Sequence, residues 1–302
     1  MITPSQAIDA FNTRYGRHAG HRSLHAKGIV CTGVFTATPE AAALSRAPHL
    51  QGDPVRVTVR FSNGGGNPRM PDYAPDVRGM AVKFHLPDGT STNVVAQTAP
   101  RFPVADPDAF VEMTVALDRN PAALWRLPWF LARNPSAIAP LRANAGSIRP
   151  PASYAAATYH AVHAFWWVAA DGTRTAVRST LVPDLHLDPP TAEQARAGGR
   201  DYLQDDVRTR LAIGPLRFHL HLQVAEPGDD VDDPRSVWPS SRRTVDAGTI
   251  DITATDEDGE SGTDLLVYDP TTVPDGIELS DDPILAYRKA AYSESVARRT
   301  SG

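Results

Sequence analysis

Apolar and polar residues alternate along Val55-Arg56-Val57-Thr58-Val59-Arg60-Phe61-Ser62, the period of two that marks a strand with one buried face. Residues 28–38 share that character, and Met80-Ala81-Val82-Lys83-Phe84-His85 reads as a further strand ended by a Pro87-Asp88-Gly89 turn. Residues 163–170 and 175–182 predict a hairpin around Asp171-Gly172, and strands are expected again over 215–224, 249–255 and 265–268. Elsewhere the signals are helical. Thr3-Pro4-Ser5-Gln6 is an N-cap with proline at the first helical position and a capping-box glutamine, opening a helix that Gly16 closes. From residue 107 to about 145 one helix carries Phe110, Met113 and Leu117, and another starts near Pro121 and is interrupted by Pro128 and Pro135. A helix is expected over 191–211, weakened in its middle by Gly198-Gly199, and a last one over about 281–299, with acidic residues at its start and Arg298 and Arg299 at its end.

Strands first, then inserted helices, then a terminal helix give an α+β class whose antiparallel strands can close as a barrel. The acidic stretch from Glu226 to Pro234 lies between apolar strands and reads as an excursion within one domain, 1–302. No internal repeat divides the chain.

Composition narrows the functional classes. The 302 residues are 41% hydrophobic and 22% charged, with a formal charge of −5 and no Lys/Arg block. A nucleic-acid or anionic-membrane surface is therefore disfavoured. Cys31 is the only cysteine, which excludes an intrachain disulfide and a thiolate cluster. The start has no basic and apolar leader pattern and no apolar run reaches membrane-spanning length, so a cytoplasmic protein is expected.

The candidate chemistry sits near the two ends. Arg288, Tyr292, Ser295 and Arg299 share one helix face by spacing. A phenol ionises near about pH 10, and a guanidinium one turn away together with a bound ferric iron would favour the phenolate. Tyrosine is one of the few axial ligands of haem iron. The same spacing also suits a plain amphipathic helix. At the other end, His25 is suited to passing a proton between two peroxide oxygens, Ser62 to fixing its tautomer, and Arg22 and Arg60 to pairing with carboxylates.

These segments resemble the haem catalase family in series. Arg22-x-x-His25-Ala-Lys-Gly28 is similar to its distal signature. Val59-Arg60-Phe61-Ser62 and Arg78-Gly79-Met80-Ala81-Val82-Lys83-Phe84 are similar to its central segments, and Phe102 and Phe110 fall at the spacing of its two distal phenylalanines. Gly276-Ile277-Glu278-x-Ser280, Arg288-x-x-x-Tyr292 and Arg299 resemble its proximal segment. The resemblance runs from about residue 11 to 299 and is nearest to the short branch, the catalase-related peroxidases. It implies an eight-stranded antiparallel β-barrel with inserted helices and a C-terminal haem-ligand helix, holding haem b (iron protoporphyrin IX). Tyr292 would be the iron ligand and Arg288 its support, Arg22, Arg60 and Arg299 propionate anchors, and Phe102 and Phe110 the distal wall. His25, with Ser62, would be the acid/base.

One position departs from the pattern. The family's distal Asn-Asn-Thr-Pro run reads Gln97-Thr98-Ala99-Pro100 here, placing Gln97 at the asparagine. An added methylene is expected to weaken peroxide dismutation while donor oxidation remains. The resemblance thus implies a peroxidase acting on hydrogen peroxide or small organic hydroperoxides with a small organic electron donor, as a monomer or homodimer. A hydroperoxide isomerase of the allene oxide synthase type and a non-catalytic haem sensor are the alternatives.

Other signals carry less. His18, His21 and His25 would share a helix face suited to zinc, Cys31 reads as a buried small hydrophobe, and Gly64-Gly65-Gly66 reads as a flexible loop near the pocket. His160, His163, His219 and His221 read as barrel-strand or exposed histidines, with a place bordering the cofactor as the alternative for His163, whose Tyr-x-x-x-His-x-Phe loosely resembles the family's haem-facing segment. Asp256-Glu257-Asp258-Gly259 reads as a turn.

Overall fold

The computed structural model describes residues 1–117, 125–260 and 266–300. Helix α1 (Pro4–Tyr15) starts at the capping box: Thr3 Oγ1 accepts from the Gln6 N–H at 3.2 Å, Gln6 Oε1 accepts from the Thr3 N–H at 3.0 Å, and Gly16 ends the helix. The strands are β1 (Gly28–Ala37), β2 (Val55–Asn63), β3 (Arg78–His85), β4 (Ser91–Gln97), β5 (Tyr159–Val168), β6 (Arg174–Pro183), β7 (Leu216–Val224), β8 (Thr244–Thr255) and β9 (Ile277–Leu279). The other helices are α2 (Pro39–Leu44), α3 (Pro107–Ala116), α4 (Arg126–Arg133), α5 (Ile138–Ala143), α6 (Ala192–Ala197), α7 (Tyr202–Leu211) and α8 (Pro283–Thr300).

Strands pair in the order β4-β3-β2-β1-β8-β7-β6-β5, and β4 meets β5 at Gln97 and His160, closing an eight-stranded antiparallel barrel. The short β9 pairs with the far half of β5. Val57, Val59 and Phe61 point into the barrel with Met80, Val82, Phe84, Phe218, Ile250 and Ile252, all fully buried. Each such side chain contributes about 1.5–3 kcal/mol by leaving water. The alternate β2 residues Arg60 and Ser62 lie on the outward face of the strand, and α1, α3 and α8 pack on one another. No described helix is long and apolar enough to cross a membrane.

The strand expected over 265–268 does not form: Leu265 lies outside the described residues, and 266–269 run without regular structure. The eighth barrel strand is β4, which the sequence reading missed. Its Thr92 and Asn93 break the apolar alternation, yet both are buried because they donate to the carbonyls of Thr272 (2.8 Å) and Asp269 (2.9 Å) in a strap laid across the barrel. The helix expected to start near Pro121 lies partly outside the described residues. Within them α4 takes Pro128 in its first turn and ends before Pro135. The helix expected over 191–211 is two, α6 and α7, parted at Gly198-Gly199, where Gly199 has φ 96°.

A buried polar network clamps the β2–β3 connection. Asp72 binds Lys27 Nζ at 2.7 Å and accepts from Asn63 Nδ2 at 2.8 Å, and the Tyr154 hydroxyl donates to Asn63 Oδ1 at 2.7 Å. Arg78, fully buried, donates to the carbonyls of Asp72, Ala74, Asp76 and Val77. The Gly64-Gly65-Gly66 run inside this connection is buried rather than a loose loop. A Cβ on Gly66 would collide with the Ser23 carbonyl oxygen. Gly66→Ala should therefore lower stability by about 1–3 kcal/mol, read from urea unfolding. An unchanged midpoint would refute this close packing.

Candidate active site

Beyond α1 the chain lies directly on the glycine run: the N–H groups of His25 and Ala26 donate to the carbonyls of Gly64 (2.9 Å) and Gly65 (3.0 Å). His25 takes φ 54°, the sole described non-glycine residue with positive φ. That conformation costs energy and is held by its surroundings. The imidazole reaches across β3 at Gly79, where a Cβ would stand 2.8 Å from His25 Nδ1 and 2.8 Å from Ser62 Oγ. Only a residue without a side chain leaves room for the ring.

His25 Nδ1 and Ser62 Oγ are 2.9 Å apart. Assigning the ring proton to Nδ1, as donor to Ser62, leaves the Nε2 lone pair free. Burial, and then the charges of Arg60, Arg288 and Arg22, push the imidazole down to about 3, so it is neutral at physiological pH. In register, Ser62 stands opposite Gly79 and Gly79 opposite Gln97. Directly opposed residues share a sheet face, so Gln97, half-buried, lies on the outer face with Ser62 and His25.

Arg22 and Arg60 converge on one carboxylate, that of Glu260. Arg60 binds it through Nε (2.7 Å) and Nη2 (3.0 Å), while Arg22 Nη1 pairs with Oε1 and its Nη2 donates to the Leu266 carbonyl at 2.7 Å. Burial opposes the Glu260 charge, but Arg60 and Arg22 overcome it and hold the carboxyl at about 2. Arg299 lies within the field of the same carboxylate, and its Nε is buried with no partner among the described residues.

The α8 side is anchored by Asp282. Its Oδ1 accepts from the N–H groups of Ile284 (2.8 Å) and Leu285 (3.3 Å), capping the helix, while Oδ2 lies 2.5 Å from His163 Nδ1. His163 is buried, its Nε2 has no partner among the described residues, and burial, then Arg288, push it down to about 4 against the pull of Asp282. Phe102 and Phe110 pack with ring centroids 5.0 Å apart, and Phe102 lies 6.2 Å from the His163 ring. The Phe102 N–H donates to the Pro234 carbonyl at 3.1 Å, so the acidic excursion reaches the site.

Arg288 and Tyr292 sit one turn apart on α8, as their spacing requires. Arg288 is near enough to depress both His25 and His163. The half-buried Tyr292 makes no hydrogen bond among the described residues, so the two side chains share a face without bonding directly. Ser295 and Arg299 border a cavity together with Arg22 and Ser23.

The zinc arrangement of His18, His21 and His25 does not form, because residues 16–27 are not helical; His18 Nε2 lies 3.0 Å from the Tyr15 carbonyl and His21 is exposed. Cys31 is buried, and burial raises its thiol to about 12. The sequence reading missed Glu260 and Asp282. Each meets its partner more than a hundred residues away, and although Asp282 was legible as part of an acidic helix start, nothing local marks the partner of either.

A closed antiparallel barrel with a tyrosine-bearing terminal helix and an arginine cluster outside its wall defines a protein class, and the family comparison agrees: the catalase family model matches residues 5–302, and the chain belongs to the catalase family. It is 46% identical over 299 residues to the catalase-related peroxidase of Mycolicibacterium paratuberculosis, covering 99% of this chain and 95% of that one. It is 32% identical to the catalase-related peroxidase of Synechococcus elongatus, covering 100% and 90%. Catalase A from Saccharomyces cerevisiae superposes with a TM-score of 0.82 at 22% identity, over 98% of this chain and 64% of that one, which shows the shared fold.

Proteins of this family are haem-dependent, and the residues present fit that group. Arg22 and Arg60 already grip a carboxylate as a propionate would be gripped, and the Arg299 Nε lacks a partner. The aromatic pair Phe102–Phe110 supplies an apolar wall.

Because burial lowers His25 to about 3 and His49 and His163 to about 4, the unfolded chain binds protons at these sites before the native one does. Their contribution to stability is complete above about pH 6.5 and is lost as the pH falls toward about 4. The melting temperature should drop across that window in a pH series. A flat profile would show these rings are not held neutral.

Proposed function

We propose that this chain is a haem b peroxidase that reduces hydrogen peroxide or small organic hydroperoxides at the expense of a small organic donor, with weak oxygen release. The observation that carries the reading is His25: a half-buried, neutral imidazole whose Nδ1 meets Ser62 and whose Nε2 has no partner among the described residues. The relatives at 46% and 32% identity are catalase-related peroxidases, which favours this over the isomerase and sensor readings. We take it to act as a single domain, cytoplasmic, monomeric or homodimeric, without nucleic-acid or membrane partners.

In this reading Tyr292 ligates the iron and Arg288 favours its phenolate. Arg22, Arg60 and Arg299 hold the propionates, with Glu260 giving way or sharing the guanidinium groups. When bound, haem supplies the redox centre at which the peroxide O–O bond is reductively cleaved. His25 Nε2 takes the proton from one peroxide oxygen and returns it to the other, which leaves as water or an alcohol. Ser62 keeps Nδ1 protonated and the ring aimed throughout. Phe102 and Phe110 exclude bulk water from the distal side. Gln97 presents its amide on the His25 face, one methylene farther out than an asparagine would, which misplaces it for orienting a second peroxide.

Tyr292→Phe should lose haem or change its ferric absorption spectrum, and an unchanged spectrum would rule out the ligand assignment. His25→Ala should keep haem while its reaction with peroxide slows by about 10²–10⁴-fold, read by stopped-flow absorbance. Oxygen release relative to chromogenic-donor oxidation should be low in the native protein and rise in Gln97→Asn. Rapid oxygen evolution by the native protein would sink the role given to Gln97.

A further inference from the structure

A second cluster of ligating side chains lies on the outer barrel wall, on β7 and β8, away from the β1–β3 face that carries His25. His219 and His221 are two apart on β7 and so share a face, and His221 stands directly opposite Asp246 on β8. The register shifts between His219 and His221, setting His219 against Thr249, so β8 has one extra residue there. A bulge of this kind re-aims side chains, and here both imidazoles end beside one carboxylate. One ligand atom each from His219, His221 and Asp246 lie within 4.8 Å of one another, the sole such group among the described residues.

The arrangement around the cluster matches that of a metal ligand set. His219 Nδ1 faces Asp246 Oδ2 at 2.9 Å, while its Nε2 lies 3.0 Å from Asp184 Oδ1, just beyond the end of β6. A ligating histidine typically has its other ring nitrogen held by a carboxylate, which fixes the ring. Asp246 is oriented as well: its Oδ1 accepts from the Gly248 N–H at 3.1 Å, leaving Oδ2 for an ion. With metal bonds of about 2.0–2.1 Å, neighbouring ligand atoms of a tetrahedral site are about 3.3 Å apart. The 2.9 Å separation of Nδ1 and Oδ2 needs only a slight opening to admit the ion, with His221 offering its nitrogen within 4.8 Å of both.

We propose that His219, His221 and Asp246 form a site for one divalent transition-metal ion, Zn²⁺ by its two-imidazole, one-carboxylate chemistry, with Asp184 positioning His219. Water would complete the coordination, because the ligands lie at the solvent boundary. The ion ties β7 to β8 directly and, through Asp184, the end of β6 to both. Its role is to stabilise this part of the barrel wall, and it is independent of the haem reading.

The test is calorimetric titration of the purified, chelator-treated holoprotein with ZnCl₂, alongside elemental analysis and melting curves. One Zn²⁺ per chain should bind saturably and raise the melting temperature, with millimolar-range Mg²⁺ failing to compete. His221→Ala and Asp246→Asn should each weaken binding at least about tenfold, and Asp184→Asn about tenfold or more through His219. All three change solvent-accessible side chains, and far-ultraviolet dichroism and the haem spectrum check that each folds. Should one fail to fold, the others carry the test. No saturable binding, or binding unchanged in the folded variants, overturns the proposal.

Discussion

The site depends on one close approach, that of the 23–28 segment to the β2–β3 wall. The chain can lie flat on that wall because Gly66 offers no Cβ to the Ser23 carbonyl, and the His25 ring can cross β3 because Gly79 offers none to it. Two backbone hydrogen bonds to Gly64 and Gly65 hold His25 in a left-handed conformation. Contact with Ser62 at 2.9 Å follows from that placement, and so does the ring's enclosure, which keeps it neutral. The absence of a Cβ at two glycines thereby sets a neutral imidazole beside Ser62.

Charge is arranged around that neutral ring with equal economy. Arg22, Arg60, Arg288 and Arg299 gather on one side of the barrel, and a carboxylate answers the first two. Arg60 is buried, so its guanidinium is costly to leave without an anionic partner. An anionic cofactor edge is therefore a natural complement to the cluster. Elsewhere the same rule is met internally: Lys27 is balanced by Asp72 and Asp201, and Arg78 is spread over backbone carbonyls. These polar clamps fix the loop that carries the glycine run, so the site and the fold share one support.

Much of this was legible along the chain. The capping box of α1, the alternation in β2, the Asp171-Gly172 hairpin and the Pro283 start of α8 are local signals, and local physics honours them. The serial motifs around His25, Arg60, Phe102 and Tyr292 likewise made the family readable. What failed was nonlocal. β4 hid because its buried Thr92 and Asn93 donate to a strap about 180 residues away, and an apolar stretch near 265 was read as a strand in its place. Glu260 and Asp282 hid because a carboxylate in a turn or at a helix cap looks the same whether it meets solvent or a distant arginine or histidine.

The sequence by itself determined most of the element types, the caps and the one-sided apolar strands, because these follow from neighbours within a few residues. Only the tertiary structure decided which charges pair, that the glycine run is a packed surface rather than a loose loop, that Gln97 shares a face with Ser62, and that two ordinary barrel histidines meet an aspartate. Each of these depends on strand register and on contacts between residues far apart in the chain. Closing the barrel selects those contacts, and no short stretch of sequence encodes them.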